Sequence, residues 1–423
     1  MADLEIQVVR ATDAERYLAS DQMIWFGEPG SDPIEIMLRG VPERQRFAVD
    51  LPGADVDPTT YPGIYGVRPM ELSVPDGDGG GTLVPVAGLT WVGVHPDHRR
   101  RGVLTAMVRH HFEQTRSDGV HLSALHASEP AIYGRYGYGL ASLEFSVDLG
   151  RGTTFTAPHL DDEAAAIATR VSAVSDKGMP ERRRACELAV APTCVGTIVG
   201  DPDFFEALCH HSPESLRDKE VPRVIFATRD GEDLGYAVFR RTHKWDNARP
   251  SGIVEVHAHH ATPAAHLALL RRLVDLDLAG TIKVESIAQD DPLLSWVDGP
   301  RATGALNTYD SLWMRLVDLP EALAARGYEG SCDVVVEVTD EAAPWNAGRW
   351  RIRIQDGTAE ATRSDADAEV ALSVVALGAA YLGGSNLVAM HRAGLVAEHR
   401  PGTVRDLWRA FRTDVPPYAS RGF

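Results

Sequence analysis

The sequence is short of cysteine, short of positive charge and without a long apolar run, and each shortage removes a class of protein. Four of 423 residues are cysteine. Cys186, Cys194, Cys209 and Cys332 form no CxxC pair, so there is neither a zinc-knuckle nor a redox signature, and the density does not suit a disulfide framework. Lys and Arg number 42 against 60 for Asp and Glu, a formal charge of -18. Nucleic-acid binding needs a basic face, so nucleic acid is not an expected partner. No stretch reaches the ~18 consecutive apolar residues of a membrane helix, so no membrane partner is expected. Residues 1–10 lack the basic-then-apolar layout of a signal peptide, which leaves a cytoplasmic location as the default expectation.

The remaining composition, 44% hydrophobic and 24% charged, is that of a soluble globular protein too long for one core, so two or three domains are expected. The acidic excess suits a cationic ligand, because an acidic cleft concentrates cations, although solubility alone explains it as well.

Residues 1–150 alternate strand and helix signals, which reads as α/β. The expected elements are strands at 4–9 and 47–49, a helix from 14, a hairpin loop at 75–81 (PDGDGGG) and a long buried strand at 86–94 (VAGLTWVGV). An amphipathic helix follows through Leu104, Met107, Val108, His111 and Phe112, then a strand at 121–125. Residues 151–318 repeat this order: a hairpin of 224–228 and 234–240 around Asp230-Gly231, a strand at 252–259, a helix at 263–278 and a strand at 281–284. An internal duplication is implied. Residues 319–423 read as an α+β domain, with strands at 332–338, 350–354 and 368–372 and helices at 374–382 and 386–393.

The chemistry concentrates at 92–104 (VGVHPDHRRRGVL), where a buried strand ends in a proline turn and a basic loop opens a helix. Backbone N–H groups at a helix start lack partners and the helix dipole favours an anion there. Gly102 allows close approach, and Arg99, Arg100 and Arg101 add charge-assisted hydrogen bonds, a design suited to pyrophosphate. A bare Arg-x-x-Gly is more often a solvated basic helix start. Here the strand–turn–helix context is right, and a Tyr/Gly turn, Ser128-Glu129-Pro130-Ala131-Ile132-Tyr133-Gly134-Arg135-Tyr136-Gly137-Tyr138-Gly139, follows the next strand.

These segments resemble the GNAT acetyltransferases: Arg99-x-x-Gly102-x-Leu104 is similar to their pyrophosphate loop and Tyr133-x-x-x-Gly137-Tyr138 to their tyrosine element, although Leu104 stands where Gly or Ala is usual. With Leu125-His126-Ala127-Ser128-Glu129 added, the pattern resembles the Eis (enhanced intracellular survival) N-acetyltransferases. The resemblance spans the whole layout. It implies a catalytic GNAT domain at 1–150, a degenerate second copy at 151–318 and a sterol-carrier-like domain at 319–423, whose helical part matches 374–384 (VVALGAAYLGG). The implied fold class is α/β, tandem mixed sheets flanked by helices, followed by that α+β domain. The implied reaction moves an acetyl group from acetyl-CoA to primary amines of aminoglycoside, polyamine or lysine type, without a metal, in a hexamer. Tyr133 would be the general acid; Val92, Gly93, Val94, Arg99, Arg100, Gly102, Val103, Leu104 and Ser128 would hold the cofactor; the terminal carboxylate of Phe423 would be the base. A protein or peptide N-acetyltransferase would share all these features, and a lipid-binding scaffold with a vestigial enzyme domain is the non-enzyme alternative.

Asp21, Trp25, Phe26, Glu28 and Trp91 form a candidate wall for a cationic acceptor, with a helix packed on the core as the plainer reading. His257 and His259 share a strand face, but polar strand histidines are commoner than ligands, and no metal is expected. The tail 414–423 has features of a docking segment: Pro416-Pro417 stiffens it, Tyr418 and Phe423 are apolar anchors, and Gly422 permits a bend towards Tyr133.

Overall fold

The structure, a computed structural model, describes residues 5–27, 32–212, 216, 219–304, 306–419 and 422–423, without the side chains of 258, 259 and 300. Three sheets carry it. The first runs, in spatial order, Gln7–Arg10, Arg46–Asp50, Gly63–Pro75, Gly81–Val94, Leu122–His126, Leu312–Leu316 and Gly139–Leu140, with Ile198–Gly200 paired to the side of Gly63–Pro75. The second runs Leu306–Asp310, Leu143–Gly150, Ala279–Ile287, Gly252–Ala261, Glu232–Thr242, Arg223–Arg229 and Ala168–Ala173. The third, Thr358–Arg363, Gly348–Gln355, Cys332–Thr339, Val370–Ser373 and Val396–Glu398, lies beside helices Val374–Ala380, Leu387–Arg392 and Thr403–Phe411. This is the α/β architecture with a terminal α+β domain that the sequence implies.

Local chemistry sets the elements that frame the cleft. Asp13 caps the helix Ala14–Trp25 by accepting from the Arg16 N–H at 2.9 Å. Asp76 accepts from the N–H groups of Asp78 and Gly80, closing the turn at the head of the long hairpin. Asp230 and Gly231 both have positive φ, 54° and 86°, as a two-residue hairpin turn requires. The helix Val103–Ser117 buries Val103, Met107, Val108, His111 and Phe112 against the first sheet.

Two strands cross the expected boundaries at 150 and 318. Leu143–Gly150 lies inside the second sheet, whereas Leu312–Leu316 fills the first sheet between Leu122–His126 and Gly139–Leu140. The physical cause is burial: Leu312, Met314 and Leu316 are fully buried in a core that joins the first sheet (Met70, Leu72, Val86) to the third domain (Val336, Ile352, Leu377, Tyr381, Phe411). Arg315, on the same strand, forms a buried ion pair with Asp340 of the third domain, its Nη2 donating to both carboxylate oxygens at 2.7 and 2.8 Å. The strand Gly63–Pro75 was not anticipated. Its Pro69 and Pro75 argue against an inner strand, yet it pairs along nearly its whole length with Gly81–Val94. Among the described residues no helix is long and apolar enough to cross a membrane.

Candidate active site

The first sheet opens at its centre. Gly81–Val94 pairs in parallel with Leu122–His126 at Ala87–Ser123 and Gly88–Ala124, after which the two strands diverge. On its other edge the register slips, Ile64 facing Gly93 but Gly66 facing Thr90, and Trp91 adopts φ 54°. This bulge bends the end of the strand away from its neighbour. A buried polar chain closes the apex: the Ser123 hydroxyl donates to the Ala87 carbonyl at 3.0 Å and meets the Tyr138 hydroxyl and His111 Nε2, each at 2.8 Å. Burial lowers the His111 pKa to about 3, so its ring stays neutral.

The opening is a cleft of about 430 Å³. Val92, Gly93 and Val94 line one side, and their backbone edge is the one the diverging strand has left, which suits an extended amide-bearing ligand. Arg99, Arg100, Gly102, Val103, Leu104 and Thr105 form the end wall. Arg100 and Gly102 have positive φ, 61° and 88°, so the loop folds back and delivers the helix start into the cleft. No side chain caps this helix; its first internal bond is Ala106 N–H to Gly102 O, which leaves the earlier N–H groups for an anion. Leu104 lines the wall, so the departure from Gly or Ala narrows it without removing its N–H. Arg101 does not reach the cleft lining.

Ser128, Glu129, Ile132, Tyr133, Arg135 and Tyr136 make the opposite wall. Tyr133 ends the short helix Pro130–Tyr133, its ring edge-on to Tyr138 at 6.0 Å. Burial first, and the Glu129 charge second, push its hydroxyl up to about 12, so it holds its proton at neutral pH. Tyr136 was not singled out from the sequence. Its hydroxyl meets the Thr105 hydroxyl at 3.1 Å and ties the tyrosine wall to the phosphate helix, a contact across the cleft that spacing along the chain does not reveal.

The candidate acceptor residues disperse. Trp25 lines the cleft mouth with Ile24. Phe26 is 81% exposed, and Trp91 stacks on Tyr17 at 5.7 Å outside the lining. Asp21 is half-buried, which raises its carboxyl to about 6. Glu28 lies outside the described residues. Phe423 reaches the first unit: its ring packs edge-on to His126 at 5.2 Å, and a Cβ on Gly88 would stand 2.9 Å from it, which places the ring at the apex where the strands part. In the second unit the corresponding turn, Thr262-Pro263-Ala264, carries neither arginine nor glycine, and His266 in the first helical turn bonds Asp291 at 2.9 Å. His257 bonds Glu285 at 2.6 Å, and no group of three metal-ligating residues occurs among the described residues.

Comparison with known proteins agrees with this geometry. Acetyltransferase (GNAT) domain families match residues 63–141 and 196–317, and the sterol carrier protein domain family matches 319–420. The chain is 39% identical over 368 residues to an uncharacterized N-acetyltransferase of Streptomyces avermitilis, covering 85% of this chain and 86% of that one. It is 32% identical over 358 residues to the N-acetyltransferase Eis of Mycobacterium tuberculosis, covering 82% of each. The crystal structure of Eis1 from Mycobacterium abscessus superposes with a TM-score of 0.80 at 28% identity, over 99% of this chain and 100% of that one.

Proposed function

Since the chain belongs to the Eis family of GNAT N-acetyltransferases, we propose that it transfers the acetyl group of acetyl-CoA to primary amines of polycationic acceptors, of the aminoglycoside, polyamine or lysine type. One observation carries the reading: the opened strand edge, the uncapped helix start behind Gly102 and the protonated Tyr133 hydroxyl face a single cleft. The pyrophosphate sits on the first-turn N–H groups with Arg99 and Arg100, and the pantetheine arm pairs with Val92–Val94 beside Ser128. The amine enters past Trp25, on the side of the helix Ala14–Trp25 that also carries Asp21.

The nitrogen lone pair attacks the thioester carbon. The Phe423 carboxylate takes the amine proton. A backbone N–H near Val94 steadies the oxyanion. The C–N bond forms, the C–S bond breaks, and the leaving thiolate takes the Tyr133 proton. The acceptor's positive charge suits a chain of net charge -18. The same reading includes a homo-hexamer. Its support here is the exposed edge strand Leu306–Asp310, with Leu306 40% and Tyr309 48% open; sedimentation would test it.

Thiol release from acetyl-CoA is the assay, run with an aminoglycoside, a polyamine and a lysine peptide. Turnover confined to the peptide would move the acceptor class to proteins, and no turnover with any amine would refute the reading.

A further inference from the structure

We propose that the second acetyltransferase unit serves as the seat of the C-terminal tail, and that Tyr418 is the positioning residue through which it holds Phe423 at the cleft. This rests on the reading of Phe423 as the base.

The observations lie along residues 413–423. The Tyr418 hydroxyl donates to the Ser286 carbonyl at 2.9 Å, and the Tyr418 N–H donates to the Val195 carbonyl at 2.7 Å. Ser286 belongs to Ala279–Ile287, the second unit's counterpart of Leu122–His126. There too the central parallel pairing stops short, the last rung being Val256–Val284, so Ser286 lies beyond the point where the strands part. In the first unit that region forms the acyl-donor cleft; in the second it receives a phenol from the tail. The position of Ser286 is itself fixed, since its hydroxyl donates to Glu144, which also accepts from Ser311, at 3.0 and 3.2 Å.

Glycines line the seat where the tail passes. A Cβ on Gly196 of the second unit would stand 2.9 Å from Tyr418 N; on the third domain's side, one on Gly383 would stand 2.7 Å from Thr413 N and one on Gly384 2.6 Å from the Pro417 ring. A tail resting by apolar contact alone needs neither a hydroxyl partner nor three glycine notches. Tyr418 and Ala419 are buried, against the default of a frayed terminus.

The consequence is kinetic. Without the Tyr418 anchor the tether to Phe423 begins at the end of the helix Thr403–Phe411, more than twice as far back. The chance of the end reaching one point falls as roughly the three-halves power of tether length, about fourfold here.

Tyr418→Phe keeps the ring and removes the hydroxyl. The expected result is a measurable loss, up to about fourfold, in kcat, with the acetyl-CoA KM unchanged and the acidic limb of the pH–rate profile shifted. Gly384→Ala, which pushes Pro417 away, should give the same signature. In a chain lacking Phe423 neither substitution should lower the rate further. If deletion of Phe423 abolishes turnover while Tyr418→Phe and Gly384→Ala retain the wild-type kcat, the seat is refuted and the base survives. An equal loss with and without Phe423 also refutes the seat. If deletion of Phe423 costs nothing, the base reading fails and the positioning role goes with it.

Discussion

Replacing Gly102 separates a phosphate-binding turn from a merely basic helix start. Gly102 sits at φ 88°, where any residue with a Cβ is strained by about 1–2 kcal/mol. Space is not the obstacle, because an added Cβ would meet only Ile6 Cδ1, at an ordinary 3.5 Å. Gly102→Ala therefore measures backbone strain. Gly102→Glu bears the same strain and adds a carboxylate at the helix start. For the empty protein that charge is mildly favourable, since anions suit a helix N-terminus. For bound CoA it is the reverse: the side chain occupies the pyrophosphate's place and repels it. A hydrogen bond to a charged group contributes about 1.5–3 kcal/mol. Losing one or two of them costs about 2–5 kcal/mol, a rise in Kd of roughly 30- to 5,000-fold. The assay is titration calorimetry with CoA beside a thermal melt of the same samples. Both variants should melt below the wild type, the glutamate variant no lower than the alanine one, while CoA binding is lost in the glutamate variant alone. Glutamate and alanine variants with CoA affinities within threefold of each other would show that the pyrophosphate lies elsewhere.

Tyr133→Phe should lower kcat by ~100-fold or more with the acetyl-CoA KM nearly unchanged, as loss of a general acid does; near-native turnover would leave Tyr133 a packing residue. Asp21 titrates at about 6 in the folded chain instead of 3.8, so its ionisation costs stability as pH rises from about 4 to 6. Asp21→Asn should thus raise the melting temperature at pH 7 and leave it unchanged at pH 3. The same substitution should raise the amine KM above pH 6, and an amine KM that keeps its wild-type pH dependence would place Asp21 outside the acceptor site. Asp340→Ala strands the buried Arg315 guanidinium and should destabilise by about 3–5 kcal/mol, whereas Arg315→Met with Asp340→Leu should recover most of that loss in a melt.

The half of the cleft built by residues 92–104 was legible as a structure because its pattern is local. A proline turn, a basic glycine loop and a helix start occupy thirteen consecutive residues, 92–104, and of the residues expected there to meet the cofactor all but Arg101 line the cleft. The Tyr/Gly turn is as compact, and Gly137, at φ 88°, supplies the left-handed conformation it needs. The acceptor half was not legible. The aromatic run at the end of the first helix gives Trp25 to the cleft, but the bulge at Trp91 turns that ring onto Tyr17, and a bulge of this kind has no sequence signal. Tyr136 was passed over because its partner, Thr105, is 31 residues away. The strand exchange was invisible for the same reason: Leu312–Leu316 reads as a plain apolar strand, and nothing in it names the sheet it will join.

That exchange decides what the catalytic unit is. Leu312–Leu316 lies at the end of the second unit's sequence, yet it pairs with Leu122–His126, the strand that forms one arm of the opening. Arg315 from this strand lies beneath the tyrosine turn, where a Cβ on Gly137 would approach its guanidinium within 3.0 Å, and it crosses over the Phe112 ring at 4.7 Å before reaching Asp340. The wall that carries Tyr133 is therefore backed by a strand from the end of the second unit's sequence and pinned by a carboxylate of the third domain. A fragment of residues 1–150 would keep every residue that lines the cleft but would expose the hydrogen-bonding edge of Leu122–His126 and the apolar faces that Leu312 and Met314 cover. An unpaired edge beside uncovered apolar surface favours association between chains over folding. Such a fragment should aggregate and fail to bind CoA under conditions where the full chain is soluble and binds it. A soluble, CoA-binding 1–150 fragment would show that the exchanged strand is dispensable to the cleft.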